Sequence, residues 1–219
     1  MAGVGGDLGA ATLAAIGIAL SPLPLLFGIA LLGADGMIAR TVAFASGEAV
    51  AIAVVAVVGI LVLERGDDGD VQGLPVLEVA IGVLLAVLLV VHVRRARSTA
   101  APRWQAFLDR IGTGKAFVGG LAMVAVNPKN LALTIAGAAA ILQLDYPLGG
   151  ELAGVLTFTA VSISALLALV VLVAAFPQRA ARVLDRVHSF ASAHERVLGT
   201  VLLAILASFF LLRGLAGVA

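Results

Sequence analysis

The sequence predicts an all-α integral membrane protein with six transmembrane helices, arranged as two inverted three-helix repeats with broken first helices. Three observations carry that reading. The apolar content is too high for a water-soluble domain, the apolar residues fall in blocks long enough to cross a bilayer, and the first and fourth blocks are each interrupted by proline near mid-length.

Apolar residues make up 62% of the chain and charged residues 12%, against roughly 45–50% and about 25% in ordinary globular domains. Spans are expected at 9–32, 39–63, 75–93, 116–142, 152–176 and 197–217, each near the roughly 20 residues that cross the hydrocarbon. The first lies in Leu8 to Ala34, which carries no ionisable side chain, and is interrupted at Ser21-Pro22-Leu23-Pro24. The N-terminal residues lack the basic stretch of a secretory signal and the block is too long for a signal core, so it is read as a retained span.

The second span holds Glu48 in the step Ser46-Gly47-Glu48, and the third has Glu78 near its outer end. A connecting segment follows in which Trp104, Phe107, Leu108 and Ile111 share one helical face, with Arg103, Asp109 and Arg110 turned away, the pattern of a helix lying in the interface plane. The fourth span is interrupted at Asn127-Pro128-Lys129-Asn130, and the fifth, within Leu152 to Gln178, is again free of ionisable groups. Before the sixth, Val183, Val187, Phe190 and Ala191 form a second amphipathic stripe beside Arg179, Arg182 and Arg186; a plain solvated linker remains the alternative for both segments. Arg213 sits near the outer end of the sixth span, where it and Glu78 are expected to snorkel. The chain divides into a first repeat at 1–101, a cytoplasmic amphipathic linker at 102–115 and a second repeat at 116–219.

Basic residues set the orientation. Most of the 14 Lys and Arg fall after spans one, three and five: Arg40, then Arg94, Arg95, Arg97, Arg103, Arg110 and Lys115, then Arg179, Arg182, Arg186 and Arg196. The opposite side holds Arg65 and Arg213, in short loops or ends beside Glu64, Asp67, Asp68, Asp70, Asp145 and Glu151. The positive-inside rule then places both termini outside the cytoplasm, in a multi-pass membrane protein.

The halves echo each other. Glu78 and Gly82 align with Glu195 and Gly199, and Leu85 with Leu202. Pro22 and Pro128 each lie about a dozen residues into their spans; a helix-interior proline removes a hydrogen bond and costs roughly 3 kcal/mol. In hydrocarbon the freed carbonyls have no bulk water, so such breaks persist where backbone faces protein or a wet cavity. Three spans per half is an odd number, so the second half enters from the other side, which is the arrangement of secondary transporters with a site at mid-depth. Simple kinks tolerated by packing are the alternative.

The candidate substrate-binding residues are Ser21, Pro22, Pro24, Glu48, Asn127, Pro128, Lys129 and Asn130. An ammonium at the bilayer centre costs about 2.5–3.5 kcal/mol even on the lenient insertion scale, so Lys129 needs a partner or water. Glu48, the intramembrane carboxylate far from an interface, is expected to approach it or share its cavity, either as a proton carrier or as half of a static ion pair. Asn127 and Asn130 can replace lost backbone partners or bind substrate; for Ser21, Thr134, Ser162 and Ser164 bonding to their own helices is favoured.

Other classes are disfavoured. Net charge is +1 and no Lys/Arg run interleaves with aromatics, which argues against nucleic acid. The chain has no cysteine, so thiol relays and thiolate metal sites are excluded. Gly112-Thr-Gly114-Lys115-Ala116 lacks the first glycine and the Ser/Thr of a phosphate loop, and His92, His188 and His194 show no metal-ligand spacing. No cofactor, metal or catalytic set is expected.

Pro102-Arg-Trp104 through Asp109, Lys115-Ala-Phe117 to Asn127-Pro128-Lys129-Asn130, and Leu20-Ser21-Pro22-Leu23-Pro24 together resemble the GAP family, the Sap-like sulfolipid- and glycopeptidolipid-addressing proteins, within the wider LysE superfamily of exporters. The resemblance runs over nearly the whole chain. It implies an actinobacterial inner-membrane protein that helps move a glycolipid or related envelope molecule outward, in contact with the bilayer, as a homo-oligomer or with other envelope-lipid export proteins. Three functions compete: export of a lipid or amphiphile, proton-coupled export of a small solute such as an amino acid or cation, and a non-transporting scaffold for a lipid export machinery.

Overall fold

The computed structural model describes residues 2–32, 37–65, 73–94 and 111–218. These residues form eight α-helices and no strand: α1 Ala2–Ala19, α2 Pro22–Leu32, α3 Met37–Arg65, α4 Gly73–Arg94, α5 Thr113–Val126, α6 Pro128–Leu142, α7 Leu148–Ala175 and α8 Pro177–Val218. Long unbroken runs of Leu, Val, Ala and Ile give four helices that cross a bilayer by length and apolarity. Two further spans arise if each broken pair counts as one: α1 and α2 meet at a bend of 43°, α5 and α6 at 74°. The protein is therefore an all-α, multi-pass membrane protein, and the breaks fall at the two proline steps.

Helices α1 to α4 and α5 to α8 repeat one order: a broken pair, then two unbroken helices. Their contacts recur as well. α3 packs on α5 as α7 packs on α1, and α4 packs on α6 as α8 packs on α2, while α3 faces α7 and α4 faces α8. α4 and α8 run antiparallel, because Gly82 lies against Leu211, Gly199 against His92 and Glu78 against Arg213. Equivalent helices pointing in opposite directions are what an inverted repeat requires.

Most of the first interfacial segment, Trp104, Phe107, Leu108, Arg103, Asp109 and Arg110 included, lies outside the described residues. Ile111 is buried against α3 and α5 residues such as Phe44 and Ala116. The second segment is not a separate element: its backbone continues without interruption into the sixth span as the 42-residue α8, roughly 63 Å long at 1.5 Å per residue. The side chains of Val183, Val187, Phe190 and Ala191 lie outside the described set.

Small residues set the close crossings, as expected where lipid gives no hydrophobic drive for helix association. A Cβ on Gly47 of α3 would lie 2.0 Å from the Phe117 carbonyl oxygen, and one on Gly120 of α5 would lie 2.0 Å from the Phe44 carbonyl oxygen. The two backbones thus touch reciprocally, and neither carbonyl has a flexible neighbour to move aside. The main core lies among α1, α3, α4, α6, α7 and α8, with Ile18, Ile52, Leu85, Leu133, Leu206 and Phe210 fully enclosed.

Gly47→Ala and Gly120→Ala are each expected to destabilise the protein in detergent by about 1–3 kcal/mol, the usual cost of overpacking. Gly9→Ala is the control, because a Cβ there meets nothing within 4 Å. Equal melting temperatures for all three variants would show that the α3–α5 crossing is not a close contact.

Candidate functional site

The chemistry of the two breaks follows from proline. Ile18 would normally accept from the amide four residues on, but that residue is Pro22 and has no N–H. Ser21 N donates to Ile18 O instead, at 2.9 Å, and Leu20 N donates to Ile16 O at 2.9 Å. Gly17 O, which Ser21 N would have served, is left over. Lys129 Nζ reaches across from the other break and donates to it at 3.0 Å. A cation on the carbonyl end of a half-helix complements both the orphan acceptor and the helix dipole.

The second break is closed by its own residues. Asn127 has extended backbone angles and caps α6: its side-chain oxygen accepts from Asn130 N at 3.4 Å, its carbonyl accepts from Leu131 N at 3.0 Å, and Pro128 occupies the first helical position. Thr134 donates to Asn130 O at 2.8 Å. Ser162 and Ser164 likewise bond back to Phe158 O and Val161 O on their own helix.

The two breaks open into one cavity of about 370 Å³. Ser21, Pro22, Asn127, Pro128 and Lys129 line it, so five of the candidate residues, distant in sequence, come together. Its other wall is built by α4 and α8: Leu88, Val91 and His92 from one, Gly199, Leu202 and Leu203 from the other. One end is thus polar and the rest is Leu and Val, with Leu23 and Val91 exposed at the protein surface.

Pro24, Glu48 and Asn130 do not line this cavity. Pro24 is buried on α2. Glu48 is 1% exposed, packed beside Gly120, with its Oε1 lacking any hydrogen-bond partner. Lys129 is within electrostatic reach of Glu48, but its ammonium is bonded to Gly17 O and no ion pair joins the two side chains among the described residues. Asn130 is fully buried, and both polar atoms of its side chain are unpartnered.

His92 and Gly199 were not singled out for the site by sequence. A Cβ on Gly199 would stand 2.7 Å from His92 Nε2, so the glycine is what lets the ring lie across α8 into the cavity. The signal was present as the aligned glycine of the two halves, but nothing in either helix alone pairs residue 92 with residue 199. Among the described residues, no group of three or more His, Cys, Asp or Glu is placed to hold a metal ion.

Lys129→Met is expected to lower stability in detergent by about 2–4 kcal/mol, since it strips Gly17 O of its donor and leaves Glu48 without a counter-charge. Adding Glu48→Gln should recover part of the loss, with a coupling of about 0.5–3 kcal/mol in a double-mutant cycle. Strict additivity would show that the two charges do not sense each other.

A protein-family model described as Sap, sulfolipid-1-addressing protein, covers residues 12–216. No curated protein and no solved structure matches the chain.

Proposed function

The chain belongs to the Sap, sulfolipid-1-addressing protein family, and from that premise we propose that it moves a glycolipid or similar cell-envelope amphiphile across or out of the cytoplasmic membrane. The observation that supports this most is the cavity at the breaks, polar at one end and apolar along the α4–α8 wall. An amphiphile needs that division: Lys129, Ser21, Asn127 and His92 face the head, while Leu88, Val91, Leu202 and Leu203 face the chains. The positive dipole ends of α2 and α6 both border the cavity, and with the Lys129 ammonium they favour a head that carries negative charge.

In this reading Ser21, Pro22, Asn127, Pro128 and Lys129 contact the cargo. Pro24 and Asn130 shape the two breaks from behind, and Glu48 offsets the charge of Lys129 from within the protein. In the same reading the chain divides into repeats at 1–101 and 116–219 joined by the 102–115 linker, and the distribution of basic residues favours a cavity that opens toward the cytoplasm, with both termini outside. Kinship with the LysE superfamily of exporters belongs to the same proposal, as does assembly with further copies or other export proteins.

A second reading, proton-coupled export of a small solute, draws on the unpartnered carboxylate oxygen of Glu48. The Leu and Val lining of the cavity argues against a polar solute, so the lipid reading is preferred.

Reconstitution in liposomes tests the proposal and separates it from a scaffold role. With a fluorescent anionic phospholipid as probe, the purified protein should speed leaflet exchange well above protein-free vesicles. Lys129→Gln should slow it about tenfold, and Leu202→Trp, which fills the apolar wall, should slow it similarly. Exchange equal to that of empty vesicles for this probe and for a neutral fluorescent glycolipid would overturn the transport reading.

A further inference from the structure

At the far end of the same helices from the cavity, four elements are tied together by one guanidinium. Arg213 of α8 bonds through Nε to Glu78 of α4 at 2.7 Å, and through Nη2 to Asp7 of α1 and, at 3.1 Å, to Gln143 after α6. Its Nη1 donates to Gly6 O. All three guanidinium nitrogens are engaged, which suits the planar five-donor fork of Arg and not the single point of a Lys. Asp7 and Glu78 are buried, and the Arg213 side chain is 19% exposed. A snorkelling arginine would leave its helix neighbours for the interface; this one turns inward and gathers acceptors from the three other elements.

Between this cluster and the cavity lies a solid apolar layer. Ile81 and Leu85 of α4, Leu206 and Phe210 of α8, Ala14 of α1 and Leu133 of α6 are all buried in one core cluster. From Glu78 to Val91, the cavity residue on the same helix, the rise is about 20 Å. Between α4 and α8 the path is thus open at the cavity end and closed at the other by packing capped with ionic bonds. The same four elements, α1, α4, α6 and α8, also supply cavity residues or flank its breaks. Separating them at the Arg213 end is what opening a path to the opposite side demands.

We propose that the Arg213–Asp7–Glu78–Gln143 cluster is the latch of an outer gate, holding the helices closed at that end while the cavity is open at the other, and that release of Arg213 accompanies exposure of the cavity to the opposite face. The inference rests on the transport reading above. Two carboxylates share one guanidinium, so removing the cation leaves buried like charges facing each other, a configuration that is relieved by parting the helices. Removing one carboxylate leaves Arg213 paired with Asp7 and loosens the latch less.

The chain has no cysteine, so a single Leu23→Cys in the cavity wall reports on access. A membrane-impermeant maleimide, applied to sealed vesicles of either orientation, should label Leu23→Cys from one face only. In the Arg213→Gln background, labelling from the other face should rise at least tenfold, and with Glu78→Gln about threefold. Each variant is checked for a monodisperse elution profile; where Arg213→Gln does not fold, Glu78→Gln carries the test alone. Labelling confined to one face at the unaltered rate in the folded variants would overturn the latch. The readout needs no cargo. Lipid exchange with unchanged labelling sinks the latch alone, and gated labelling with no lipid exchange sinks the transport reading alone.

Discussion

The structure depends on a constraint that water never imposes: inside hydrocarbon, every backbone donor and acceptor must find its partner within the protein. Pro22 removes the amide that Ile18 O requires, and the correction propagates. Ser21 N shifts to Ile18 O, Gly17 O is orphaned, and Lys129 is drawn across from the second half to serve it. A lysine that would be costly at this depth is held there because a carbonyl at this depth also needs a donor. The two half-proteins are therefore bonded at the point where each is weakest as a helix.

The inverted repeat is symmetric in backbone and asymmetric in chemistry. Pro22 and Pro128 are equivalent, yet Leu23 stands where the second half has Lys129, and Pro24 where it has Asn130. One break needs an external cation to complete it; the other is capped internally by Asn127. The result is a cavity with its charge supplied from one side only, whereas a fully symmetric site would bring together two lysines whose repulsion no nearby carboxylate pair offsets. Glu48 has no acidic counterpart either: the residue at its depth in α7 falls among Thr159, Ser162 and Ala165.

Sequence alone made the six apolar blocks and both breaks legible, because span length and proline act locally and leave periodic or compositional marks. It also made five of the twelve cavity residues legible: Ser21, Pro22, Asn127, Pro128 and Lys129 stand in the breaks themselves. What it did not reveal depends on which faces meet. His92 lines the cavity only because Gly199 on an antiparallel helix makes room for it, and Arg213 turns inward only because Asp7, Glu78 and Gln143 converge from three other elements. A leucine- and valine-rich helix is apolar all round, so its sequence carries little record of which stripe faces protein and which faces lipid. Glu48 was legible as a costly group, but its failure to pair directly with Lys129 follows from the prior claim of Gly17 O on that ammonium.

Opposite ends of the α4–α8 pair are built for different tasks. At the Arg213 end, charge pairs bind several helices; at the His92 end, glycine and proline leave a cavity. Gly82 meets Leu211 one turn from the Arg213–Glu78 pair, so the two backbones approach most closely at the end that the ionic bonds close. The reciprocal Gly47–Phe117 and Gly120–Phe44 contacts supply a second close crossing on the other side of the molecule. Both close crossings lie outside the breaks, where proline has removed backbone donors and a cavity remains between the two halves.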